Sequence, residues 1–115
     1  MTIVQMPITF TDITDAHNAL AVAIEEAFDA VQRFGEAEIE KTEKWAELLR
    51  DPEFKPGRSN LEQDAKLRAA FPDFMHGYEE VQKTVEATKL EVSLARCKVD
   101  EYNDLLKLGA ILVVE

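Results

Sequence analysis

Residues 72–108 read PDFMHGYEEVQKTVEATKLEVSLARCKVDEYNDLLKL, and no further proline follows Pro72 anywhere in the chain. Within this stretch Phe74, Tyr78, Val81, Val85, Thr88, Val92, Ala95, Val99, Tyr102 and Leu106 recur at steps of four and three without a break. Because an α-helix turns once every 3.6 residues, that spacing lines these side chains along one face and marks a coiled-coil seam. The stretch therefore predicts a long helix that lays its seam against another helix. A second apolar line, Ala87, Leu90, Leu94, Cys97, Leu105 and Leu108, falls on the side away from the seam.

The partner helix lies upstream. Thr11-Asp12-Ile13-Thr14-Asp15 offers capping side chains and first-turn acids, and no proline intervenes before Pro52. A first helix is expected over 12–50, with Leu20, Ile24, Ala27, Val31 and Phe34 as its apolar face. Beyond Gly35 the stripe is expected to drift to Ile39, Thr42, Ala46 and Leu49, with Trp45 beside it. Asp51-Pro52 and Lys55-Pro56-Gly57 end this helix. Two overlapping capping boxes, Ser59 with Glu62 or Asn60 with Gln63, open a short helix reaching about Phe71.

At about 1.5 Å per residue the two long helices would each measure about 55 Å. Equal lengths joined by one compact connection predict a mainly α fold, a long antiparallel hairpin with a short helix at the turn. A chain of 115 residues fits one domain: an extended arm over 1–10, the helices over 12–50 and 72–108, the connection over 51–71 and an apolar tail over 109–115. The arm Thr2–Phe10 and the tail Ile111–Val114 have strand composition, and a hairpin brings both to the same end, where they can pair as short β-strands.

The net charge is -10 and unevenly spread. Residues 1–49 hold ten acids and three bases, residues 50–68 four acids and five bases, and residues 69–115 nine acids and five bases. Phosphate backbones repel such a chain, so nucleic acid is not the expected partner. No apolar run approaches the roughly 20 residues of a membrane span. Met1–Pro7 lacks the basic start of a signal peptide. With one cysteine, these features predict a cytoplasmic location without membrane attachment.

No pattern of catalytic chemistry stands out. A di-iron bundle needs two Glu-x-x-His pairs, and only Asp73-x-x-His76 comes near one. Cys97 sits on an apolar line and reads as a buried packing residue. No glycine-rich phosphate loop or zinc spacing occurs, so no enzyme activity, metal or cofactor is expected. Two charged patches remain as partner-binding candidates. Arg50, Lys55, Arg58, Lys66 and Arg68 gather bases near the turn, where interleaved acids can neutralise them as surface ion pairs. Glu36, Glu40, Glu43 and Glu47 form an acidic strip on the first helix, read foremost as a solvated face.

A two-helix hairpin covers one line of the last helix and leaves the other to water, which a monomer seldom tolerates. Leu90, Leu94, Cys97, Leu105 and Leu108 are therefore the expected interface of a homo-oligomer, a dimer being favoured, built as a helical bundle that engages a further protein. The alternatives are an acidic decoy mimicking nucleic acid, or nucleic-acid contact through the basic tip. The Lys55-Pro56-Gly57-Arg58-Ser59-Asn60 turn, followed by Glu62 and Arg68 and set between an acidic long helix and a final long helix, resembles small phage-encoded helical-hairpin proteins. That resemblance implies a bacterial or phage cytosolic setting and an accessory or host-interacting role.

Overall fold

The computed structural model of the chain describes residues 6–107 and 111–114, with side chains over 8–107. Its elements run β1 (Met6–Thr9), α1 (Phe10–Leu49), α2 (Asn60–Ala70), α3 (Pro72–Lys107) and β2 (Ile111–Val114). The chain is the expected antiparallel helical hairpin with a short helix at the turn. It divides into two compact units, Asp29–Glu86 and Met1–Phe28 with Ala87–Glu115, and each contains a stretch of both long helices.

α1 opens two residues earlier than the expected Asp12 because the cap is Thr9. Its Oγ1 accepts the Asp12 N–H at 3.0 Å, and the Asp12 carboxylate accepts the Thr9 N–H at 2.9 Å. This reciprocal box satisfies two amides that a helix start leaves exposed. The Thr9 amide and hydroxyl, with a smaller pull from Lys98, hold the Asp12 carboxyl below the ordinary aspartate value. α2 is capped by Ser59, whose Oγ accepts the Glu62 N–H at 3.2 Å. Glu62 reaches back to the Arg58 N–H at 3.0 Å, so the Ser59 and Glu62 pair, not Asn60 and Gln63, sets the start. Gly57 lies so close that an added Cβ would overlap Glu62.

In the unit Asp29–Glu86, Leu67 from α2 and Met75 and Tyr78 from α3 form the core, with Phe34, Ala37, Trp45, Leu48, Phe71 and Phe74 packed against it. Phe34 meets Tyr78 at 5.6 Å between ring centroids, and the Lys44 ammonium lies 4.9 Å from the Phe71 ring and 5.8 Å from that of Phe74. Later residues of α1 thus meet earlier residues of α3, as antiparallel packing demands. The Phe71 N–H donates to the Leu67 carbonyl at 2.7 Å, and the Met75 N–H donates to that of Phe71 at 3.0 Å, so α3 begins directly on the end of α2.

In the other unit Ala16 and Ala23 of α1 and Thr88 and Val99 of α3 are buried. β1 and β2 pair in parallel, Met6 with Ile111 through Thr9 with Val114. A parallel pair requires a long crossover, and the three helices provide it. The arm residues 1–5 and the start of the tail lie outside the described residues.

The seam of α3 follows the expected positions from Phe74 to Tyr102, all buried or half-buried. At its end Leu105 is half-buried and Leu106 is exposed, the reverse of the expected order. On α1 the expected stripe needs correction. Its covered residues are Ile13, Ala16, Leu20, Ala23, Ala27, Ala30, Phe34 and Ala37, continued by Lys41, Lys44 with Trp45, and Leu48. Ile24 is 45% and Val31 50% exposed, and Ile39, Thr42, Ala46 and Leu49 are exposed as well, so the stripe does not drift. The covered face carries an alanine at every seventh position, Ala16, Ala23, Ala30 and Ala37, and small side chains of this kind suit a helix contact better than the larger neighbours one residue away.

Candidate functional site

The described part of the expected α3 line divides in two. Leu90 and Leu94 are 60% and 63% exposed, and Ala87 and Cys97 are exposed beside them. Cys97 is thus not covered by its own chain, contrary to the expectation of a buried packing residue. Leu105 is half-buried, and Leu108 lies outside the described residues. On α1, Phe10, Val22, Ile24 and Phe28 are exposed too. The sequence pattern does not offer this set as a surface because it places Ile24 in the hairpin contact. The signal that finds it is the seven-residue alanine repeat, which claims the contact for other positions.

Of the five bases near the turn, two are engaged. Arg68 forms an ion pair with Glu79, and the Lys66 ammonium lies 5.5 Å from the centre of the Phe54 ring, which itself meets Trp45 edge-on at 5.5 Å. Arg50, Lys55 and Arg58 are exposed. The acids between them are partly engaged as well: Asp51 accepts the Glu53 N–H and Glu62 that of Arg58. The turn is therefore a set of local contacts carrying three outward bases, a smaller cationic tip than expected. Glu36, Glu40, Glu43 and Glu47 are all exposed along α1.

A polar cluster that the periodic pattern did not reveal joins all three helices. The Tyr78 hydroxyl donates to the Glu38 carboxylate, the Lys41 ammonium meets Asp64 at 2.9 Å, and the same ammonium lies 4.5 Å from the centre of the Tyr78 ring. It borders a cleft of about 380 Å³ that Trp45, Asn60 and Gln63 also line. Burial opposes the Lys41 charge, but the hydrogen bond and charge of Asp64, with smaller contributions from Tyr78, outweigh it and raise its pKa. Burial and the hydrogen bond to Glu38 push the Tyr78 hydroxyl up, against the nearby Lys41 charge. Both groups are held in their protonated forms, which suits a clasp on α2 and opposes use of Lys41 as a nucleophile or base.

The pH dependence follows from these directions. A group whose pKa rises on folding stabilises the fold fully below its unfolded value and loses that contribution as pH climbs through the folded value. Ordinary values are 10.5 for Lys41 and 10.0 for Tyr78, so stability is expected to fall above about pH 10. Chemical denaturation between pH 8 and 11 checks this. Tyr78→Phe is expected to flatten the fall, and an unchanged profile would remove the clasp from the account.

No family model, curated protein or solved structure matches the chain. Among the described residues no group of three His, Cys, Asp or Glu side chains could hold a metal ion, and no helix is long and apolar enough to cross a membrane.

Proposed function

We propose that this protein is a non-enzymatic, homo-oligomeric helical module that works by binding other proteins, in the bacterial cytosol as a phage accessory or host-interacting factor. The observation that carries the self-association is the uncovered apolar line Leu90, Leu94 and Cys97 on α3. Water in contact with such a line is displaced favourably by a second apolar helix, at about 25 cal/mol per Å² of apolar surface covered. The proposed setting draws on the likeness of the Lys55–Asn60 turn and its flanking helices to small phage-encoded hairpins. Sedimentation velocity at micromolar concentration is expected to give a dimer or larger species. The Leu90→Ser/Leu94→Ser variant, altered only at exposed positions, is expected to keep its helical circular dichroism and lose at least half of the assembled mass. A wild-type monomer would overturn the reading.

The outward acids of α1 favour a second reading, in which Glu36, Glu40, Glu43 and Glu47 mimic a phosphate backbone and occupy a nucleic-acid-binding site on another protein. The immobilised protein is then expected to retain basic DNA-binding proteins in a manner that duplex DNA competes away, and reversal of all four glutamates to lysine is expected to abolish retention. Retention that survives the reversal would remove this reading.

A further inference from the structure

The cleft of about 380 Å³ between α1 and α2 lies wholly within the unit Asp29–Glu86. Its volume is in the range of pockets that enclose small molecules. One wall is α1, which lines it with Glu38, Lys41, Thr42 and Trp45 at steps of three, one and three. The other is α2, where Asn60, Gln63, Asp64 and Leu67 repeat those steps. Each set is a single helical face, so the two faces confront each other.

Three features of this space point to a positively charged guest. The first is charge: Glu38 and Asp64 stand on opposite walls, and among the described residues Lys41 is the one base that lines it, which leaves one negative charge over. The Lys41 ammonium is itself engaged by Asp64 and the Tyr78 ring. Nearby bases are held elsewhere, Lys44 over the Phe71 ring, Lys66 over that of Phe54 and Arg68 at Glu79. The second feature is unused acceptors. Glu38 receives the Tyr78 hydroxyl on one oxygen, and among the described residues its other oxygen and the side-chain amides of Asn60 and Gln63 take part in no hydrogen bond. The third is the half-buried ring of Trp45, whose π-system attracts a cation.

A carboxylate oxygen, amide carbonyls and an aromatic ring are the groups that recognise ammonium and guanidinium. An anion would meet two carboxylates, and an apolar guest would strip water from polar groups without replacing it. A bare metal ion needs several oxygen ligands closing on one point, and no group of three acids, histidines or cysteines among the described residues provides them.

We propose that this cleft binds an organic cation, a guanidinium or ammonium group on a short aliphatic chain, with its charged end at Glu38 and its chain along Trp45. The site uses neither Leu90 nor Leu94, so it stands or falls apart from the reading of the protein as a homo-oligomer. Fluorescence tests it directly, because Trp45 is the sole tryptophan of the chain. Agmatine, which carries both kinds of cationic group, is titrated into the full chain up to about 10 mM, against potassium chloride of equal ionic strength. A saturating change in emission is expected with agmatine and not with the salt. Glu38→Gln keeps an acceptor for the Tyr78 hydroxyl and is expected to weaken binding by about tenfold or more. Thr42→Lys puts a base at an exposed position of the same wall, four residues after Glu38, and is expected to remove the response while circular dichroism stays that of the wild type. Glu43→Gln, in the exposed acidic strip outside the cleft, is expected to leave the titration unchanged. The blocked peptide acetyl-Gly-Arg-Gly-amide distinguishes the source of the cation: saturation by the peptide assigns the cleft to an arginine of another protein, and saturation by agmatine alone to a free amine. No saturation with either probe, an equal response to the salt, or a response that survives Thr42→Lys overturns the proposal.

Discussion

Leu67→Ala is expected to lower the unfolding free energy by about 3 kcal/mol, the middle of the range for truncating a fully enclosed leucine. Leu67 and Met75 are 1% exposed, the largest side chains buried to that degree. Leu67 is also the one buried residue of α2. A helix of 11 residues is marginal by itself in water, so its place depends on this anchor. The ion pairs Lys41 with Asp64 and Arg68 with Glu79 do not replace it, because partly exposed pairs contribute about 0–1 kcal/mol each. Urea unfolding at fixed protein concentration measures the change. A lower midpoint at unchanged slope indicates cooperative loss, and a reduced slope indicates that α2 has already come away in the native state. Leu61, in the same helix but 82% exposed, provides the control, with Leu61→Ala expected within about 0.5 kcal/mol of wild type. Equal effects at Leu61 and Leu67 would contradict the core as described.

What could be read beforehand follows from how strongly each segment repeats its signal. The seam of α3 keeps its spacing over ten positions from Phe74 to Leu106 with large or β-branched side chains at most of them, and only its last position moved. The breaks at Pro52, Pro56 and Pro72 were legible because proline removes a donor and fixes its own backbone. The contact face of α1 was legible at Leu20, Ala27 and Phe34 but not at Ala23 and Ala30, because Ile24 and Val31 carry more apolar surface than the alanines beside them and yet stay exposed. The start of α1 at Thr9 was hidden for a similar reason, since Thr11 and Asp12 looked like a cap and only the reciprocal Thr9 and Asp12 bonds decide between them. The exposure of Leu90 and Leu94 follows from the hairpin's limited cover, whereas that of Cys97 runs against its reading as a buried packing residue. The cluster of Glu38, Tyr78, Lys41 and Asp64 joins three segments far apart in the chain, and no local spacing announces it.

Ala23→Leu tests the corrected face of α1 and is expected to cost about 1–3 kcal/mol, the usual penalty for forcing added methylenes into a filled contact. Ala23 is 8% exposed and recurs with Ala16 and Ala30 at seven-residue intervals, so a leucine there must push the facing α3 outward or leave its preferred rotamers. Intrinsic helix preference cannot produce the loss, because leucine is nearly as good a helix former as alanine. The neighbouring Ile24→Ala changes the side chain by the same number of carbons at a position that is 45% exposed, and its effect on the unfolding of the single chain is expected to be smaller than that of Ala23→Leu. Thermal or urea unfolding of the two variants orders them directly. If the original stripe through Ile24 and Val31 were the contact, the order would invert: Ile24→Ala would open a cavity and Ala23→Leu would only add surface to the solvent side. The two faces of α1 are one residue apart in sequence, so this pair of substitutions separates a helix held by close approach from one held by bulk, and leaves Ile24 available to a surface outside its own hairpin only in the first case.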